Sequence, residues 1–131
     1  MITDKINHNG DGPGRLKKAF FCSMSGFKFV FQHEAAFRQE LLLAIILTPC
    51  AFWLTDSLVR QLCLLGSLML VLIVEIVNTA IEVVIDRISD EIHPLSKYAK
   101  DLGSAAVFLA LTFAGLTWLL IGADELTVLR S

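Results

Sequence analysis

A chain of 131 residues that is 55% hydrophobic and only 18% charged lacks the surface of a soluble domain, which carries about a quarter charged residues. Its mean hydropathy of +0.66 points to a protein embedded in a single bilayer with a small polar edge, and three spans would leave no length for a separate soluble domain. The formal net charge of −2 says less than where the charges lie, and no nucleic-acid partner is expected. Cys22, Cys50 and Cys63 are odd in number and lack metal-site spacing, so they read as small apolar fillers.

Residues 1–14, MITDKINHNGDGPG, are polar and broken by Gly10, Gly12, Pro13 and Gly14, which predicts a mobile leader. No cleavable signal is expected there; the first long apolar stretch begins after residue 34, so an uncleaved helix would serve as the targeting signal. From Arg15 the pattern turns helical. Leu16, Phe20, Met24, Phe27 and Phe31 fall on one face, with Lys17, Lys18, Ser25, Lys28 and Gln32 on the other. The expectation is an amphipathic, basic surface helix over 15–33, lying in the membrane interface.

A first span is expected over about 35–54, roughly 30 Å long, with Arg38, Gln39 and Glu40 at its interfacial end. Pro49 predicts a kink near the outer end, and Trp53 belongs in the aromatic belt. After a turn at Thr55, Asp56 and Ser57, a second span is expected over about 58–86, its last turns projecting beyond the hydrocarbon with Asp86 and Arg87. SDEIHPLS, residues 89–96, reads as a polar connector in which Ser96 or its predecessors cap the third helix. The third span is expected over about 98–123, with Gly103, Ser104, Ala105, Ala106 and Gly115 offering small surfaces for close packing. Trp118 is expected towards the far interface, with DELTVLRS as a tail. Lys5, Arg15, Lys17, Lys18, Lys28 and Arg38 lie at the leader side, and Arg87, Lys97 and Lys100 flank the connector. Only Arg60 and Arg130 lie opposite. The positive-inside rule then places the amino terminus and the 87–100 connector in the cytoplasm and the carboxyl terminus outside.

The second span organises the chain. In LVLIVEIVNTAIEVVIDRIS, residues 70–89, Glu82 lies about 20° from Glu75, Asp86 about 20° on the other side, and Asn78 about 60° away. Leu64, Leu68 and Thr79 share that face, whereas Leu70, Ile73, Val77, Ala80 and Val84 make an apolar one. Ionisable groups in a spanning helix need a partner: a metal ion, a substrate or another helix. On the expected topology Glu34, Glu40, Glu75, Glu82, Asp86, Lys97, Lys100 and Asp101 gather towards the cytoplasmic surface. Glu75 is the deepest of them, about 10 Å beyond Glu82. Carboxylates repel phosphate, but with Mg²⁺ between them they hold it, and Lys97 and Lys100 can neutralise more of its charge. The same groups would suit a proton-coupled transporter, although no inverted repeat or broken helix is visible. Glu34 and Glu40 by themselves can equally be solvated interfacial charges.

EAAFRQE at 34–40, VEIVNTAIEVVIDR at 74–87 and AKDLGSAAV at 99–107 resemble the signature segments of the small prokaryotic integral-membrane diacylglycerol kinases. The likeness runs from Arg15 to Trp118, and Cys22, Met24, Pro94 and Lys97 depart from it. The resemblance implies an all-α membrane protein, an amino-terminal surface helix plus three spans, assembled as a homotrimer in the bacterial inner membrane. It implies transfer of the γ-phosphoryl of Mg·ATP to the free hydroxyl of diacylglycerol, giving phosphatidic acid. By motif, Glu75 matches the general base and Asn78 the polar residue beside it. Glu34 and Glu82 match the metal-binding carboxylates. Arg15, Lys18, Glu91, His93, Lys100 and Asp101 match nucleotide contacts, and Arg38, Gln39, Glu40, Trp53 and Ser104 match positions on the lipid side.

The residues agree with that chemistry. A lipid hydroxyl is a poor nucleophile whose proton must leave as the new P–O bond forms, and Glu75 is the expected acceptor. The chain has no glycine-rich phosphate loop, so Mg²⁺ and basic side chains must neutralise the phosphates. Because the roles fall on separate helices that enclose little volume, a site completed between subunits is expected. Two other readings stand beside this one: undecaprenol as the acceptor, and a non-enzymatic proton- or cation-coupled membrane protein that turns over no ATP when offered a lipid alcohol.

Overall fold

A computed structural model of the chain describes residues 12–88 and 90–131, so the leader up to residue 11 lies outside them. The described residues form four helices: α1 (Pro13–His33), α2 (Ala35–Leu54), α3 (Leu58–Ile88) and α4 (Pro94–Arg130). They divide into two compact units, the first ending at His33 and the second running Glu34–Ser131.

In the first unit the chain turns at Gly12, whose φ of 71° suits a residue without a side chain. The Gly12 carbonyl accepts the Arg15 amide at 3.1 Å, and Pro13 starts the helix where its missing N–H costs nothing. Helix α1 therefore begins two residues before the expected Arg15. Its apolar residues Leu16, Phe20, Met24, Phe27 and Phe31 are uncovered, and at its end the Phe29 ring stacks on His33 with centroids 4.2 Å apart.

In the second unit α2, α3 and α4 are each long and apolar enough to cross a membrane. Helix α3 is central, packing most extensively on α4 and also on α2. Its buried stripe is Leu64, Ser67, Val71, Glu75 and Thr79, the three- and four-residue spacing of one helix face. Leu70, Ile73, Val77 and Val84 on the other face are exposed, as the periodicity requires. Helix α4 contributes Gly103, Ala110 and Ala114, and Val71, Ala110 and Ala114 form the core with Val74 packed against them. Small residues on α4 let the two backbones approach, which is how helices associate where lipid is as apolar as leucine. The buried hydroxyls of this stripe are satisfied within α3: Ser67 Oγ donates to the Leu64 carbonyl at 2.7 Å and Thr79 Oγ1 to the Glu75 carbonyl at 3.0 Å.

The two ends of the bundle are held differently. At the Thr55–Ser57 turn, Thr55 Oγ1 donates to Glu125 Oε1 at 2.7 Å, Arg60 Nη1 donates to the same oxygen at 2.7 Å, and Arg60 Nη2 pairs with Asp124 at 2.7 Å. This clamp explains why α4 runs on to Arg130 where DELTVLRS was expected as a tail. At the other end, α4 begins at Pro94, ahead of the expected 98. The cap is His93, whose Nδ1 accepts the Leu95 amide at 3.1 Å, and Pro94 fits the first helical position. Of the expected candidates, Ser96 or its predecessors, the cap is thus a predecessor, and Ser96 lies within the helix.

Replacing Arg60 by Ala is expected to fray α4 beyond Gly122 and lower the thermal midpoint. The loss should shrink in high salt, because Arg60 is 39% exposed and its ion pairs are screened. Amide hydrogen exchange at residues 124–130 reads this directly; unchanged protection there would assign the length of α4 to its own propensity.

Candidate active site

Glu75 lies in the buried stripe of α3, only 4% exposed, and its Oε2 is buried without a hydrogen-bond partner in this chain. Glu34, Glu40 and Glu82 all lie within electrostatic reach of it. They come from different places. Glu82 stands two turns along α3. Glu34 precedes α2 in extended conformation, φ −116° and ψ 108°, and its side chain makes no capping bond to that helix. Asn78, one turn from Glu75, has its Oδ1 buried and unpartnered. Carboxyl groups concentrated in an apolar bundle call for protonation, a cation or another chain's donors among them.

Among the described residues, no three His, Cys, Asp or Glu side chains converge as a protein-only metal cage. Mg²⁺ does not ask for one: it takes one or two carboxylates and completes its shell with water and substrate phosphate. The donors around Glu75, hard oxygens only, fit that ion.

A second feature lies at the connector end. A cavity of about 390 Å³ is bounded by Glu91 and His93 from the connector, Lys97, Lys100 and Asp101 from α4, and Asp86 from α3. The four nucleotide-contact residues expected from this part of the chain thus meet. Lys100 Nζ donates to Asp86 at 2.9 Å, and Lys97 Nζ to Asp101 at 2.6 Å. Asp86 stands one turn beyond Glu82, so this cavity adjoins the carboxylate stripe.

Glu40 has neighbours that the sequence did not name. It borders a cavity of about 220 Å³ with Leu47, Val71, Leu111 and Trp118, and both Glu40 Oε2 and Trp118 Nε1 are buried there without partners. Counted from the clamped turn, Glu40 and Val71 both lie roughly 20 Å along their helices, about one helical turn nearer that end than Glu75. Glu40 thus stands level with Val71 and nearer the clamped turn than Glu75. The reason is length. Helix α2 has 20 residues and α3 has 31, so with one end tied, the start of α2 is recessed by about 16 Å.

Other expected residues stand apart. Trp53 is 80% exposed and sits beside the Thr55 turn, away from Glu75. Arg38 and Gln39 are exposed on the first turns of α2, and Ser104 is exposed on α4. Arg15 and Lys18 belong to the first unit, where they share a groove with Ala19 and Cys22. Two residues escaped assignment of a site role from the sequence. Trp118 shares the Glu40 cavity, and Gly103 faces the Asn78 amide. A glycine inside an otherwise strong helix was the available signal for the second.

Three membrane-length helices with the Glu75 carboxylate buried between them give the second unit the make-up of a polytopic membrane protein. Residues 21–122 match the family described as prokaryotic diacylglycerol kinase. The chain is 49% identical over 107 residues to the diacylglycerol kinase of Pseudomonas aeruginosa, covering 82% of this chain and 87% of that one. It is 44% identical over 114 residues to that of Escherichia coli K12, covering 87% and 93%, and 38% identical over 118 residues to one from Helicobacter pylori, covering 90% and 92%. The chain belongs to the prokaryotic diacylglycerol kinase family.

Proposed function

We infer that the chain is an inner-membrane lipid kinase that transfers the γ-phosphoryl of ATP to the free hydroxyl of diacylglycerol, giving phosphatidic acid and ADP. The observation that carries this is Glu75, buried and unpartnered with Glu34 and Glu82 in reach of it, inside a chain matched to the family over 21–122. On this reading Glu75 accepts the proton of the lipid hydroxyl as the new O–P bond forms and the bond from phosphorus to the ADP oxygen breaks. Asn78 stands beside it as an amide that can hold the hydroxyl or the carboxylate in place. Glu34 and Glu82 would hold Mg²⁺, which supplies neutralisation of the phosphoryl oxygens.

The connector cavity is the nucleotide end. Lys100 can exchange its Asp86 partner for a phosphate oxygen, and Glu91, His93 and Asp101 bound the same space. Arg15 and Lys18, assigned as nucleotide contacts by the resemblance, lie on a helix whose uncovered phenylalanine face suits the membrane interface. Arg38, Gln39, Glu40, Trp53 and Ser104 are assigned to the lipid side. A homotrimer, as the resemblance implies, accounts for the orphaned polar atoms of Glu40, Glu75, Asn78 and Trp118, because a second copy can complete what one chain leaves open.

The test is ATP-dependent phosphorylation in mixed micelles, with diacylglycerol and undecaprenol offered in parallel. Phosphatidic acid as the main product is the expected result. Preferential labelling of undecaprenol would reassign the acceptor, and no ATP turnover with either alcohol would leave the non-enzymatic reading.

For orientation, the distribution of Lys and Arg puts the amino terminus and the 87–100 connector in the cytoplasm. In a cysteine-free background, a cysteine replacing Asp56 is expected to react with an impermeant reagent applied to intact cells, and one replacing Asp90 is not. The reverse pattern would invert the topology and move the nucleotide cavity to the wrong side for ATP.

A further inference from the structure

We propose that Gly103 is a positioning residue for the phosphoryl transfer: lacking a side chain, it forms the notch that seats the Asn78 amide beside Glu75. The proposal rests on the lipid-kinase reading. A Cβ placed on Gly103 would collide with Asn78 Oδ1, and would lie 3.2 Å from its Cγ and 3.9 Å from its Cβ. No other described glycine is in this situation. A Cβ at Gly14, Gly26, Gly66 or Gly115 would meet nothing within 4 Å, and one at Gly122 only a Leu54 methyl at 4.0 Å.

Two further observations give the contact its meaning. Asn78 Oδ1 is buried and accepts no hydrogen bond in this chain, so the shape of the notch, and no polar partner, holds the carbonyl end of the amide. Gly103 is itself buried, on the side of α4 that meets Asn78 of α3. Seating Oδ1 there turns the other end of the amide, its two N–H donors, away from α4. Asn78 is one turn from Glu75 on overlapping faces of α3, so these donors are set at a fixed place relative to the carboxylate that takes the proton.

The atom in the way is the far end of a side chain, not backbone. A methyl at 103 would therefore push the amide out of its seat while the helices stay where they are. Misplacing a positioning group by about an ångström costs rate far more than affinity.

The experiment compares Gly103→Ala with Gly66→Ala, a glycine of α3 with open space around it, in the full-length protein in mixed micelles. Gly103→Ala is expected to lower kcat by roughly tenfold or more. KM for Mg·ATP and for diacylglycerol should stay within about twofold, the oligomer should be retained, and the Asn78 side-chain amide resonance of ¹⁵N-labelled protein should move. Gly66→Ala should change none of these. A wild-type kcat in Gly103→Ala overturns the proposal, as does a fallen kcat with the Asn78 resonance unmoved. If Gly103→Ala lowers the thermal midpoint, adding Asn78→Ser should restore it, since serine vacates the notch; failure to restore it assigns Gly103 to general helix packing and overturns the positioning role. A wild-type chain without lipid-kinase activity sinks the kinase reading itself, an outcome distinct from all of these.

Discussion

Glu75→Gln is expected to lower turnover at least roughly 10²-fold, the scale of losing general-base help. Glutamine keeps the volume and a hydrogen-bonding group at a position that is 4% exposed, so packing against Val71 and α4 should survive. What it lacks is useful basicity. Half-saturation by Mg·ATP should move by less than about threefold, because Glu75 is not assigned as a metal ligand and only chemistry after binding is affected. The competing role for Glu75 is a contact with a polar group of another subunit, consistent with its unpartnered Oε2. In that case activity would fall in step with loss of the oligomer in detergent. Turnover, nucleotide half-saturation and oligomer state measured on one preparation separate the two. An intact oligomer phosphorylating diacylglycerol at near wild-type rate removes Glu75 as the base.

The second large effect is at Glu82. Glu82→Gln should abolish measurable turnover at ordinary Mg²⁺ and shift any residual activity to much higher Mg²⁺, since a neutral amide does not replace an ionised oxygen on a hard cation. Glu82 lies within reach of Glu75 and one turn from Asp86, which holds Lys100. It therefore stands between Glu75 and the connector cavity. A Mg²⁺ titration at saturating ATP and lipid gives the answer. Unchanged maximal rate together with unchanged Mg²⁺ half-saturation would take Glu82 out of the metal site.

Much of this arrangement was legible before any coordinates. The face of α3 follows from side-chain period alone, which is why Leu64, Val71, Glu75 and Thr79 are buried while Ile73, Val77 and Val84 are not. The beginnings and ends of helices were less legible, because they depend on partners distant in the chain. Residues 124–130 stay helical in company with Arg60 and Thr55, some 65 to 70 positions earlier. The cap of α4 was legible only as a choice among Ser96 and its predecessors; Pro94 at the first helical position, with His93 before it, decides for the earlier one. The alignment of Glu40 with Val71 was not legible, because hydropathy shows which residues are apolar and not how one helix is slid along another. Gly103 and Asn78 illustrate the same limit. Each looks ordinary in its own helix, and only the packing of α3 on α4 brings the amide into the notch.

The clamp of Thr55, Arg60, Asp124 and Glu125 gives the bundle an origin from which position can be counted. With that end pinned, every residue number on α3 becomes a height and a compass bearing. One residue added between Arg60 and Glu75 would raise the carboxylate by about 1.5 Å and swing it by about 100°, facing it out of the bundle. Four added residues would bring it back to within about 40° of its bearing but leave it roughly 6 Å too far from Glu40 and from the notch at Gly103. The stretch between the clamp and Glu75 is thus a part of the chain whose length cannot drift. The connector, beyond the last carboxylate of the stripe, has no such ruler laid along it.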